Sequence, residues 1–394
     1  MSQRSALTTP PATGAWRHGD PVGQRLFADL GSLPLYAGGA LPQVDMAYQT
    51  WGTLAPDASN AVLVLHALTG DSHVYGDAGP GHLSPGWWNG LVGPGCAIDT
   101  DLWCVVAPNV LGGCQGSTGP ASPAPAEVDP LRRPWGSRFP QITLRDQVVA
   151  ESRLADRLGI DSWACVIGGS MGGMRVLEHA VATPGRVRTA VVLAAGAYTS
   201  AEQIAWSVPQ LAAIEADPHW AGGDYYDALA GEGPHVGLGI ARQIAHVTYR
   251  SEAELAVRFG RLPQHEEDPL LGGRFAVESY LQHHGTKLAH RFDAGSYLRL
   301  TQAMNSHDIG RDRGGVAAAL QQVSAAVWVA AIDSDRLYPP YQQAELVALT
   351  PTARPLVTIP SPYGHDGFLL EVDAVGEIVG AALEHAGATC PQPV

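Results

Sequence analysis

Cysteine is scarce in this 394-residue chain: Cys96, Cys104, Cys114, Cys165 and Cys390 are five in number and irregularly spaced. With neither a CxxC pair nor a Cys/His zinc pattern, a disulfide framework is excluded and a reducing compartment, the cytoplasm, is expected. Long apolar runs are also missing. None approaches the roughly 20 residues that a membrane span requires. The first residues, Met1 to Asp20, are rich in Ser, Thr, Pro and Ala and lack the apolar core of a signal peptide, so residues 1–20 read as a flexible tail. Positive charge is in deficit. The 24 Lys and Arg against 38 Asp and Glu leave a formal net charge of -14, with no basic run. Nucleic acid and anionic membrane surfaces are therefore excluded as main partners, and an anionic small molecule would need a local cationic patch to overcome the average field.

What is present is apolar residue in quantity, 45% of the chain, enough for a large core. Val44 to Trp51 alternates like a strand, and Ala61 to Leu65, Leu102 to Ala107, Trp163 to Ile167, Val187 to Ala194, Ala325 to Ile332 and Ala353 to Ile359 read as further strands. Thr143 to Leu158 carries a helical period. Strands alternating with helices predict an α/β fold with a mostly parallel sheet covered on both faces. From Tyr198 to Asp308 the pattern turns helical with no buried strand, predicting a helical cap (198–308) inserted into a core made of 21–197 and 309–390. The acidic run Glu266-Glu267-Asp268 within it reads as a solvated loop.

The chemistry centres on Val166-Ile167-Gly168-Gly169-Ser170-Met171-Gly172-Gly173. An apolar strand runs into a glycine-flanked serine, and Met174, Val176, Leu177 and Ala180 supply the apolar side of a following helix. This is the GxSxG elbow, in which small residues permit a sharp bend that projects the serine hydroxyl beyond the sheet edge. Acid and base candidates follow in the order Ser, Asp, His. Asp335, with Asp333 as its rival, lies just after an apolar strand, and His365 lies between glycines after the last strand. In this arrangement His365 takes the Ser170 proton, the carboxylate fixes the imidazole tautomer, and backbone N–H groups of Met171 and Leu68 receive the oxyanion. The glycine-rich Leu111 to Gly119 loop lacks both the GK[ST] ending of a P-loop and GxGxxG spacing, which argues against nucleotide triphosphate chemistry.

At this level of detail the chain resembles the homoserine O-acetyltransferase family of the α/β-hydrolase fold. The resemblance is carried by His66-Ala67-Leu68-Thr69-Gly70-Asp71-Ser72, Asn109-Val110-Leu111-Gly112-Gly113-Cys114, Gly136-Ser137-Arg138-Phe139-Pro140, the elbow, Thr248-Tyr249-Arg250, Arg291-Phe292-Asp293-Ala294, Ser334-Asp335-Arg336-Leu337 and Tyr363-Gly364-His365-Asp366-Gly367-Phe368. It implies ping-pong acetyl transfer from acetyl-CoA as co-substrate to L-homoserine, with no tightly bound cofactor and no metal. It further implies that Arg242 holds the α-carboxylate, Asp366 the α-ammonium, that Tyr249 lines the cleft, and that homodimers form through the cap. Segments Ala121 to Pro130 and Arg258 to Leu271 depart from the family pattern. Rival readings are a succinyl-CoA or L-serine variant of the same transfer, and a serine esterase in which water deacylates Ser170.

Overall fold

The computed structural model describes residues 9–388. Its centre is an eight-stranded sheet built from β1 (Leu26–Asp29), β2 (Asp45–Trp51), β3 (Ala61–Leu65), β4 (Cys104–Pro108), β5 (Trp163–Gly169), β6 (Val187–Leu193), β7 (Ala326–Ile332) and β8 (Val357–Ile359). The spatial order is β1-β2-β4-β3-β5-β6-β7-β8. β2 is antiparallel to β1 and β4, and the remaining pairs are parallel.

Side chains alternate across each strand, yet the central strands are buried throughout because both sheet faces are covered. Leu63, Val166 and Val192 share one core with Leu144 and Leu154 of α1 (Leu144–Arg157) and Met174 and Leu177 of α2 (Met171–Ala182). Val64, Ile167 and Val191 share the other with Trp88, Leu91 and the C-terminal helix Val372–Ala388. Helix α1 starts at a reciprocal cap, in which Thr143 Oγ1 accepts from Asp146 N while the Asp146 carboxylate accepts from Thr143 N.

Between β6 and β7 the chain forms α3 (Ala201–Glu215), α4 (His235–Tyr249), α5 (Glu252–Arg258), α6 (Ala276–Ala289) and α7 (Ala294–Asn305). The two stems of this insertion meet where Tyr198 bridges Asp308. Helices α4 and α6 cross with Gly239 against Gly285, where a Cβ on Gly285 would lie 2.8 Å from the Gly239 carbonyl oxygen. In the acidic run, Glu267 binds the Arg274 backbone and guanidinium and Asp268 caps a short turn.

Two expectations need correction. The segment expected to be a flexible tail is packed over residues 12–16, while Arg17 to Asp20 stay exposed. Thr13 Oγ1 donates to the Asp293 carboxylate at 2.7 Å, Trp16 N donates to Cys114 O, and Ala12 and Thr13 are buried. The last strand is also shorter than Ala353 to Ile359: Ala353 makes an isolated bridge to Val327 of β7, Pro355 has no N–H to continue the ladder, and the strand itself is Val357–Ile359. Cys96, Cys104, Cys114 and Cys165 are free thiols, whereas Cys390 and residues 1–8 lie outside the described residues. No helix among the described residues is long and apolar enough to cross a membrane.

Candidate active site

Strand β5 ends in a backbone that only a tight turn can accept: Ser170 sits at φ 57°, ψ -124°, with α2 starting at the next residue. A non-glycine residue held there is strained, and its surroundings must over-determine it. They do. A Cβ at Gly172 would fall 2.1 Å from Leu65 O, and one at Gly168 would fall 2.6 Å from the Gly172 carbonyl carbon. The elbow therefore closes only with glycine at both positions, and it brings the end of β3 against α2.

His365 Nε2 lies 2.8 Å from Ser170 Oγ, and His365 Nδ1 lies 2.6 Å from Asp335 Oδ2. All three side chains are buried. Asp335 keeps its other oxygen for the backbone N–H groups of Leu337 and Tyr338 at 2.8 and 2.9 Å. The rival Asp333 turns the other way and accepts from Ser361 N. Ser334 Oγ donates to Ser361 O and accepts from Gly364 N, tying the loop that follows β7 to the loop that carries His365. Burial pulls the His365 pKa down, but the charge and hydrogen bond of Asp335, joined by the charge of Asp366, outweigh it and leave the pKa raised. Such a relay lets a serine lose its proton to an imidazole as it attacks an acyl carbon.

The N–H of Met171 is the first orphan donor of α2, and the N–H of Leu68 lies on the loop after β3; neither finds an acceptor among the described residues. The same loop is braced from below. Arg175, fully buried on α2, donates to His66 O at 2.5 Å and pairs with Glu151, which also holds His179. Val110 N donates to His66 Nε2 at 3.0 Å, so the ring hydrogen resides on Nδ1 and is donated to Ala67 O at 2.7 Å. Burial and the nearby Arg175 hold the His66 pKa at about 3, keeping it neutral.

Beside the relay a cavity of about 260 Å³ opens between this loop and the helical insertion. Its lining includes Asp366, the residue after His365. Arg242 and Tyr249, seven apart on α4, face the same way, with the guanidinium carbon 5.4 Å from the ring centroid. Tyr249 in turn stands 5.8 Å from the His365 ring. Arg242 meets Thr69 Oγ1 at 3.3 Å and no carboxylate among the described residues. Burial raises the Asp366 pKa, opposed by Arg250, His365 and Arg242. Of the site residues expected from the sequence, Ser170, Asp335 and His365 form the relay, Met171 opens α2, Leu68 lies on the loop after β3, Arg242 and Asp366 line this cavity, and Tyr249 stands between Arg242 and His365 outside its lining.

Three cations on the cavity wall were not singled out by sequence reasoning: Arg250, Lys287 and Arg291. Arg250 pairs with Asp366 at 3.3 Å and Glu254 at 3.5 Å. Arg291 donates to Thr69 O at 2.8 Å, and burial followed by repulsion from Arg242 lowers its pKa. Arg250 lies just past the end of α4, where the backbone turns extended, so the helical period that relates Arg242 to Tyr249 gave no signal for it.

The strand order, the strained serine elbow and the Ser-His-Asp relay define an α/β hydrolase, and the family model described as the alpha/beta hydrolase fold matches residues 60–372. The homoserine O-acetyltransferase of Thermobifida fusca (strain YX) is 62% identical over 375 residues, 94% of this chain and 97% of that protein. The chain belongs to the homoserine O-acetyltransferase family. Among solved structures, the homoserine O-acetyltransferase from Bacillus anthracis superposes with a TM-score of 0.82 at 25% identity, covering 91% of this chain and 97% of that one. An acetylester hydrolase from Corynebacterium glutamicum does so with a TM-score of 0.77 at 27% identity, covering 92% and 96%.

Proposed function

We propose that this protein transfers the acetyl group of acetyl-CoA to the side-chain hydroxyl of L-homoserine, the acylation step of methionine biosynthesis, in the cytoplasm and without a tightly bound cofactor. His365 takes the Ser170 proton as Oγ attacks the thioester carbonyl, and the oxyanion is received by Leu68 N–H and Met171 N–H. One such donor is worth about 3 kcal/mol in the transition state. Collapse breaks the C–S bond, His365 returns its proton to the thiolate, and CoA leaves an acetyl-serine. Homoserine then enters with its carboxylate on Arg242 and its ammonium on Asp366, beside Tyr249. Its hydroxyl loses a proton to His365, attacks the acetyl carbon, and Ser170 regains the proton as O-acetylhomoserine departs.

The insertion 198–308 serves as a cap that keeps water from the acetyl-serine, and two copies join through it. The observation that carries the reading is Arg242, without a carboxylate partner among the described residues, lining one cavity with Asp366 beside the relay. A zwitterionic amino acid supplies the carboxylate that Arg242 lacks and an ammonium that joins Arg250 at Asp366, each charge-assisted contact contributing about 1.5–3 kcal/mol. Succinyl-CoA and L-serine remain the rival donor and acceptor on the same geometry. The likeness to an acetylester hydrolase favours ester hydrolysis as a second reading.

Free thiol release from acetyl-CoA, followed with and without L-homoserine, separates these. Release that requires homoserine is expected, and equal release without it establishes hydrolysis. Replacing homoserine by serine, or acetyl-CoA by succinyl-CoA, ranks the remaining rivals. Ser170→Ala is expected to abolish release while leaving thermal unfolding unchanged. Arg242→Ala is expected to raise the KM for homoserine more than tenfold, and an unchanged KM would remove Arg242 from the acceptor site.

A further inference from the structure

The chain carries 24 Lys and Arg residues, and only one of them is lysine. That residue, Lys287, stands in the last turn of α6 and is solvent-exposed at the cavity beside the relay. Everywhere else the protein meets its need for positive charge with guanidinium. The distinction has chemical content. A guanidinium is planar and matches the two oxygens of a carboxylate, whereas an ammonium is a compact point charge that approaches a tetrahedral phosphate from any side.

The neighbours divide in the same way. Arg242 and Arg291 line the same cavity, repel one another, and neither meets a carboxylate at ion-pair distance among the described residues. Lys287 likewise has no carboxylate partner among them. In a protein of net charge -14 such a group of cations is an anion site awaiting its ligand. One planar carboxylate, on the amino-acid acceptor, accounts for the guanidinium at Arg242. The exposed ammonium on the cap helix remains unused.

We propose that Lys287 is the phosphate contact of the acyl donor, its ammonium binding a phosphate of the nucleotide end of acetyl-CoA while the acyl-pantetheine arm passes inward toward Ser170. This rests on the acetyl-CoA reading above and adds a residue to it. Phosphates stay partly hydrated at an exposed rim, so the contact contributes affinity without the cost of burying two charges.

The test compares acetyl-CoA with S-acetylpantetheine, which carries the same thioester and no phosphate, in the wild type, Lys287→Met and Lys287→Arg. The expected result is that Lys287→Met lowers the ratio of kcat/KM for acetyl-CoA over acetylpantetheine about tenfold. Lys287→Arg should recover part of that ratio, and the salt dependence of the acetyl-CoA KM should become shallower in Lys287→Met. An unchanged ratio overturns the assignment, as does a loss shared equally by both donors. A second readout needs no variant: reductive methylation of Lys287 in the native enzyme, located by mass spectrometry, should be slowed by CoA and not by homoserine, and protection by homoserine alone overturns the proposal. Wild-type enzyme that releases no thiol from acetyl-CoA, yet turns over another thioester, defeats the functional reading itself before Lys287 is at issue.

Discussion

The imidazole of His66 has no hydrogen bond to the relay, yet it sets the direction of the Leu68 N–H, the proposed oxyanion donor. The Ala67–Leu68 peptide is trans, so its C=O and N–H point in opposite directions. With Ala67 O held by His66 Nδ1–H and Gly70 N–H, the Leu68 N–H is turned away from both. His66→Asn keeps a donor near the Nδ1 position and His66→Gln does not, so kcat should fall about 10²-fold in the glutamine variant, recover most of its value in the asparagine variant, and leave both KM values near wild type. Equal losses in the two variants, tracking their melting temperatures, would reduce His66 to a packing residue. A second expectation concerns pH. His365 must be neutral to accept the serine proton, and its pKa is raised, so kcat/KM falls as pH drops through a value above the ordinary 6.5. Asp366→Asn removes one of the charges that raise it. The acidic limb of acetyl-serine formation should therefore move to lower pH, and an upward shift would contradict the electrostatics. Ser170, Asp335 and His365 were legible because each sits in a local motif that fixes its own backbone. The sequence reading preferred Asp335 over its rival Asp333, and what it could not show was the physical reason, that the Asp333 carboxylate already accepts from Ser361 N. Lys287 and Arg291 were not legible as site residues, because their meaning comes from a cavity assembled by segments more than 200 residues apart, as the bond from Arg291 to Thr69 shows.

The elbow behaves as one unit of strand, turn and helix. Gly172→Ala places a methyl 2.1 Å from Leu65 O, a backbone atom of a central strand with no room to retreat. Helix α2 must then move off β3, taking Met171 N–H and Ser170 away from the Leu68 loop. Overpacking of this kind costs typically about 1–3 kcal/mol. The variant is expected to melt at lower temperature and to acetylate Ser170 at least tenfold more slowly in a single turnover, whereas wild-type values for both would show that the contact is soft. Elements were read from sequence where their own residues decide them: the alternation of β2, the capping Thr143, the apolar run of β5. They were misread where a distant partner decides. Nothing in Pro10 to Trp16 announces that Asp293, 280 residues from Thr13, will accept a hydrogen bond from it along with those of Tyr225 and Tyr226.

At the scale of the whole molecule the relay and the cavity are complete within one chain, but the outer face of the cap is not what water selects. On α3, Ala205, Val208, Pro209 and Ala212 are exposed at the spacing of one helical stripe, a face that on an isolated surface helix would carry charge. Beside it α4 exposes Val236 and Ile240, at 68% and 42%. A second copy covering this stripe satisfies it, which is how the proposed homodimer through the cap gains its apolar area. Sedimentation should then give twice the 41.4 kDa chain mass. Val208→Asp combined with Ile240→Asp would bury two unpaired carboxylates in that interface, a cost of several kcal/mol each, and should yield monomers. Because no catalytic group is borrowed across the interface, those monomers should keep kcat within a fewfold of the dimer. A wild-type monomer would remove the assembly from the proposal, and a charged variant that still dimerises would move the interface away from α3 and α4.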